Sequence, residues 1–158
     1  MKERMVEAMR EMKEQAKKIM EEDKFHIPTL FVWNGEDVDI AAFGSSGSES
    51  LRKALYLTGR LYSRGKGTPD FAVMICEGWV STDERCLTGE MKPSQDPERG
   101  EALVVAGMDR ERNIHIIAMP FLRLPGEIMW LEEVETEEAE SGLLESFWLG
   151  VDEGKEGR

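Results

Sequence analysis

Between residues 2 and 22, apolar side chains recur at Met5, Met9, Met12, Ala16 and Ile19. That 4-3-4-3 spacing puts them on one face of a helix. Glu3, Glu7, Glu11 and Glu14 alternate with Lys13, Lys17 and Lys18 on the other face, with Glu14 and Lys18 four residues apart. The methionine stripe reads as the buried face of a helix docked on its own domain. It equally has the form of an adaptable partner-binding surface.

The period then shortens to two. Asn34-Gly35 separates the apolar-rich runs 27–33 and 36–43, a signal for a type I′ hairpin turn, since both turn positions need positive φ. This turn pairs Trp33 with Glu36, Phe31 with Val38, Thr29 with Ile40 and Ile27 with Ala42. It predicts Ile27, Phe31, Val38, Ile40 and Ala42 on the core face. Leu30 and Val32 fall opposite Asp39 and Asp37 on a second, partly wet face.

A Gly/Ser stretch, Gly44 to Ser48, leads into a helix over about 49–63, with Leu51, Ala54, Leu55, Thr58, Leu61 and Tyr62 as its buried stripe. Ser46 with Glu49 fits a capping box, Ser48 is a rival N-cap, and Gly65 and Gly67 end the helix. Such a loop can bind phosphate through bare N–H groups. This one lacks the lysine of a Walker loop and the spacing of a dinucleotide fingerprint, and capping alone accounts for its serines. Strands are predicted at about 70–80, 101–108, 113–121 and 127–134, with turns at Asp109-Arg110-Glu111-Arg112 and Leu124-Pro125-Gly126. The implied fold class is α+β, a single antiparallel sheet of five to six strands. Its N-terminal and middle helices pack on it in the order α-β-β-α-β-β-β(-β). This element order resembles roadblock and profilin-like folds. Residues 1–134 read as one domain, and 135–158 as an acidic linker with a C-terminal aromatic segment.

Composition narrows the function classes. The chain has 158 residues, 41% hydrophobic and 33% charged, which suits one globular domain. No apolar run is long enough for a membrane span, and the charged N-terminus is not a secretory signal. Two cysteines are too few for a disulfide framework, so reduced thiols in a cytoplasmic setting are expected. The net charge is −12; residues 127–158 hold 11 Asp/Glu against 2 Lys/Arg, a net of −9, leaving −3 for the rest. That balance argues against direct nucleic-acid binding. It leaves a solvated acidic tail, or a protein partner with a basic surface.

The most unusual segment is the loop of about 20 residues between the third and fourth strands, since most hairpin loops are far shorter. On the strand before it, Phe71, Val73, Ile75, Glu77 and Trp79 share a face. Glu77 at the edge of an apolar face needs a partner, for which Arg99 is the candidate. Gly78 could instead mark a bulge that turns it outward. A buried, paired Glu77 is a general-base or metal-ligand candidate, joined by Asp83, Asp96 or Glu101 in a metal-dependent hydrolase; a salt bridge anchoring the loop explains it equally. Pro69-Asp70 and Glu90-Met91-Lys92 carry the letters of a nuclease site, but the second half lies in a loop where that site needs a strand. Cys76, Cys86, His26 and His115 lack the spacing of a zinc site, so no metal centre and no cofactor are expected. Cys86 with His115 remains a weak nucleophilic pair, while His115 also reads as an ordinary sheet histidine.

Glu77-Gly78-Trp79 followed by Pro93-Ser94-Gln95-Asp96-Pro97-Glu98-Arg99-Gly100-Glu101 resembles a family of small bacterial and phage proteins. In that family a strand ending in Glu-x-Trp precedes Pro-Ser-x-Asp-Pro-x-Arg-x-Glu. The resemblance covers about 30 residues, implies a phage or mobile-element association, and brings no activity with it.

At the C-terminus, Leu143, Leu144, Phe147, Trp148 and Val151 lie on one helical stripe behind acidic residues. That is the form of a helix-in-groove ligand, or of a helix folding back on its own sheet. The function expected is a small non-catalytic interaction or regulatory module. It would present the loop and tail to a protein partner through Trp79, Asp96, Arg99, Phe147 and Trp148. A structural or homo-oligomeric subunit using an open sheet edge is the further alternative.

Overall fold

In a computed structural model that describes residues 1–44, 47–81 and 83–157, apart from the side chain of Leu87, helices cover both faces of one sheet. The chain runs α1 (Lys2–Asp23), β1 (Thr29–Asn34), β2 (Asp37–Ala42), α2 (Ser48–Lys66), β3 (Phe71–Val80) and α3 (Glu84–Leu87). A 3₁₀ turn at Pro93–Gln95 precedes β4 (Gly100–Asp109), β5 (Ile114–Leu124), β6 (Glu127–Trp130), β7 (Val134–Thr136) and α4 (Gly142–Lys155). The sheet order is β2-β1-β3-β4-β5-β6, with β7 also pairing β5, and all pairs are antiparallel. The α+β class and single antiparallel sheet are as expected. The predicted strand 127–134 is instead two short strands sharing one edge of β5, interrupted at residues 131–133.

The face occupied by α1 is built from odd-numbered strand residues: Phe71, Val73, Ile75, Leu103, Val105, Ile117, Met119 and Phe121. Met5, Met9, Ala16 and Met20 bury the helix against them, so the methionine stripe is core. Gly107 makes the seat, since a Cβ there would stand 2.5 Å from the Met9 sulfur. Ile19, expected in that stripe, is exposed.

The opposite face carries α2 and α4, over Leu30, Val32, Ala72, Met74, Ala106 and Met108. These two helices run parallel and touch backbone to backbone. A Cβ on Gly59 would lie 2.0 Å from the Phe147 carbonyl oxygen, and one on Gly150 2.0 Å from that of Tyr56. Only glycine allows such an approach. Ser63 and Gly154 continue the seam one turn on, while Leu61, expected in the buried stripe of α2, points to solvent.

Three expectations need correction. The hairpin register is offset: Asn34 pairs with Asp37 and Phe31 with Ile40, leaving Gly35-Glu36 as the two-residue turn. Gly35 alone in that turn has positive φ, +64°, which fits a type II′ turn rather than I′. The core face is also reversed. Leu30 and Val32 are buried under α2 and α4, whereas Ile27, Val38 and Ile40 are exposed, because α1 lies over β3 to β6. Finally, the segment after residue 134 is integral to the fold, with β7 in the sheet and Leu144, Phe147, Trp148 and Val151 of α4 fully buried. The N-cap of α2 is Gly47, without a side-chain cap; the capping-box residue Ser46 lies outside the described residues.

Candidate functional site

The carboxylate of Glu77 is divided between two donors. Its Oε1 stands 2.8 Å from Arg123 Nη2, and its Oε2 accepts the His26 N–H at 3.0 Å. The same guanidinium reaches Glu101 through Nε at 2.9 Å and the Lys24 carbonyl through Nη1 at 2.6 Å. Arg123 thus joins β3, β4, β5 and the C-terminal end of α1 in one planar fork. Arg99, the expected partner, lies elsewhere. Its guanidinium sits 4.3 Å from the centre of the Trp79 ring, and it donates to the Asp96 carbonyl at 3.2 Å.

The long loop is a built structure. Asp96 is buried, accepts the Ser81 hydroxyl, and takes the Glu98 N–H at 2.9 Å. Ser81 in turn accepts the Asp83 N–H at 3.1 Å. Asp83 caps α3 by accepting the Arg85 N–H at 2.9 Å, and the Arg85 guanidinium beside it holds its carboxyl below the ordinary carboxylate range. This chain of short bonds carries the loop from β3 to β4 and leaves Trp79 about half exposed at its base.

The groups expected to do chemistry are kept apart. His115 pairs with Gly107, which pairs with Val73, four residues along β3 from Glu77. Its Nε2 is 2.6 Å from Glu135. Cys86 is on α3, in the loop. Asp70 binds Arg4, Arg110 and the Gly35 N–H at the start of β3. Glu90 and Lys92 follow the other end of that strand, where Lys92 lines a cleft with Cys76, Glu77 and Trp79. The two halves of the nuclease lettering therefore do not meet. Cys76 lines a cleft of about 900 Å³ with Arg52, Glu77, Trp79 and Lys92. Burial pushes its thiol up to about 11, so it stays protonated at neutral pH. Among the described residues, no three His, Cys, Asp or Glu side chains are placed to hold a metal ion.

No family model, no curated protein and no solved structure matches this chain.

Phe147 and Trp148, expected as partner anchors, are buried in the α4 layer, with Arg112 4.4 Å over the Trp148 ring. One group of exposed apolar side chains lies on the hairpin; others are Leu57 and Leu61 of α2, Leu149 of α4, and Leu122, Met129, Leu131 and Val134 toward the opposite sheet edge. Val38 and Ile40 of β2, with Phe25 and Ile27 leading into β1, are each at least two-fifths exposed, Ile40 most at 65%. The β1–β3 register ends with Thr29 beside Ile75, and the residues before it run past Glu77, which lines a cleft with Phe25, His26 and Ile27. The His26 bond to Glu77 pins that segment. Ala42 and Phe43 also line this cleft, of about 780 Å³. Arg123 and this patch escaped the sequence reading. The β4–β5 turn could have indicated Arg123, because pairing Glu101 with Phe121 puts residue 123 diagonal to Glu101 on the same face.

Proposed function

We propose that this chain is a non-catalytic protein-interaction module, working through the bare hairpin face and the adjoining Trp79. The observation that carries this reading is the exposed apolar group Phe25, Ile27, Ile40 and Val38 on the hairpin, left uncovered where α1 stops short of β2, with Trp79 half exposed on β3. Exposed apolar side chains grouped on one face in this way mark interaction sites. The chemistry-bearing residues support the same reading from the other side. Glu77 and Glu101 share Arg123 as their cation, Asp96 is bonded within the loop, and Cys76 is protonated. Two free cysteines fit a cytoplasmic setting.

The test compares capture from native host lysate by the full chain and by Ile27→Ser and Trp79→Ala variants. Circular dichroism confirms that each variant folds. A specific partner retained by the parent and lost with both variants is the expected result. An unchanged set of captured proteins refutes the reading.

A further inference from the structure

We propose that the occupant of the hairpin surface is a second copy of this chain, its β2 paired antiparallel with the first across a two-fold axis through Ile40. This rests on the interaction-module reading and names its partner.

The two edges of the sheet are unlike. The β5 side ends in two short strands, Glu127–Trp130 and Val134–Thr136, broken at residues 131–133. The β2 side presents six unbroken residues in regular register, Asp37–Ala42, with no proline or bulge, and its two charged residues, Asp37 and Asp39, lie on the face opposite Val38 and Ile40. The hydrogen-bonding direction is set by Phe43, whose N–H bonds the Pro28 carbonyl at 2.9 Å. By the alternation of antiparallel ladders, Asp37, Asp39 and Ala41 also point their peptide groups at β1. The N–H and C=O groups of Val38, Ile40 and Ala42 therefore point outward, on the residues whose side chains form the bare face.

Charge excludes one register, and cover of the exposed Ile40 side chain selects among the rest. Continuing both sheets with the same face upward requires even-numbered residues of one β2 to oppose even-numbered residues of the other. Pairing Val38 with Ile40 would set Asp39 against Asp39, which is unfavourable. Pairing Ile40 with Ile40 sets Val38 against Ala42 and Asp39 against Ala41. All three outward-facing residues then form hydrogen-bonded pairs, and no acid meets an acid. Asp39 already has a cation, Lys66 Nζ at 2.7 Å. The chain's surplus negative charge is remote, since the acids of residues 127–138 belong to the opposite sheet edge. Two Ile40 side chains, flanked by Val38 and Ala42, would cover each other on the face that α1 leaves open.

Light scattering of the full chain over a concentration series tests the pairing. The expected mass at high concentration is twice 17.9 kDa. Ile40→Lys and Ala42→Pro, the latter removing an outward N–H at an edge position that tolerates proline, should both return the mass to the monomer. In a Cys86→Ser background, Ile40→Cys should cross-link to a disulfide dimer on oxidation and Asp39→Cys should not. Opposed Cα atoms at the axis lie about 5.5 Å apart, within disulfide reach. A chain monomeric at every concentration overturns the proposal; if partner capture still depends on Ile27, the module reading survives that result. A dimer indifferent to both Ile40→Lys and Ala42→Pro, or one cross-linked through Asp39→Cys, overturns it as well.

Discussion

Arg123 and Glu77, 46 residues apart in sequence, meet at 2.8 Å across β4. The pair is bound up with Glu101 and the Lys24 carbonyl, so its two members are not equivalent. Replacing Arg123 leaves two neighbouring carboxylates repelling one another and a helix-end carbonyl without its donor. Replacing Glu77 leaves Arg123 a second carboxylate. Arg123→Ala should therefore cost about 1–2 kcal/mol, the range for charge-assisted bonds reduced for partial exposure. Glu77→Gln should cost less, and the double variant less than the sum. Urea unfolding measures all three. A Glu77→Gln chain with an unchanged midpoint would contradict the anchoring role and return Glu77 to the list of chemical candidates.

Glycines at the α2–α4 seam give a contrast of sign. Alanine at Gly59 or Gly150 would drive a methyl to 2.0 Å from a backbone carbonyl, which no rotamer change relieves. Separating the helices should cost at least about 2 kcal/mol, beyond the gain in helix propensity. Gly65 lies in the same helix α2 with nothing within 4 Å of its Cβ position. Gly65→Ala should stabilise by up to about 1 kcal/mol. Thermal melts of the three variants check the prediction, and Gly150→Ala melting at or above the parent would refute it.

The acidic stretch after β6 is held by α1. Lys13 binds Glu133 at 2.8 Å, Arg10 binds Glu135 at 3.0 Å and Lys2 binds Glu137 at 2.9 Å. His115 beside Glu135, and Lys2 beside Glu137, hold these carboxyls below their ordinary 4.5. A carboxylate depressed on folding adds stability that is fully present above its unfolded value and lost as the pH falls through its folded one. Melting temperature should therefore decline as the pH drops below about 4.5, with β7 amides losing exchange protection before those of β4. Glu135→Gln should flatten part of that decline. Added salt at pH 7 should weaken Lys2–Glu137 and Arg10–Glu135 before Lys13–Glu133, the least exposed of the three.

The two thiols should react at different rates. With its thiol raised to about 11, Cys76 is about one part in a thousand thiolate at pH 8, and it is partly buried. Iodoacetamide at that pH should label Cys86 in the native chain and Cys76 only once the chain is unfolded. Mass spectrometry of the digested protein reads the sites. Rapid native labelling of Cys76 would show that its cleft opens.

The elements themselves were legible, for physical reasons that also mark where legibility stops. The spacing of Met5, Met9 and Ala16 demands a helix with one buried face, and α1 has one. Strand alternation says that faces differ but not which is better covered. With helices on both sides of the sheet, Leu30 and Val32 proved deeper than Ile40. The turn slipped because Gly35 serves as the first central residue, a role that Asn34-Gly35 also permits it as the second. Gly59, Gly150 and Gly154 look like helix weaknesses in sequence; their purpose is visible only when a second helix lies against them. Glu77 was singled out correctly as needing a partner, yet the nearest cation in sequence, Arg99, stacks on Trp79. Nothing local names Arg123.

The fate of the C-terminus follows from that same seam. Removing residues 141–158 would strip Leu144, Phe147, Trp148 and Val151 from one of the two cores and expose Leu55, Met74 and Met108 beneath them. Each large buried side chain contributes about 2–5 kcal/mol. Their joint loss is comparable to the whole stability of a domain, about 5–15 kcal/mol. The 1–140 chain should be unfolded or aggregated, without a cooperative melt, so partner capture cannot be assigned to the tail by deleting it. Exposed Leu149 offers the milder probe: Leu149→Ser should leave the melt within about 0.5 kcal/mol of the parent. A cooperative transition in the 1–140 chain would show that α4 is an appendage and restore its aromatic residues as candidates for binding.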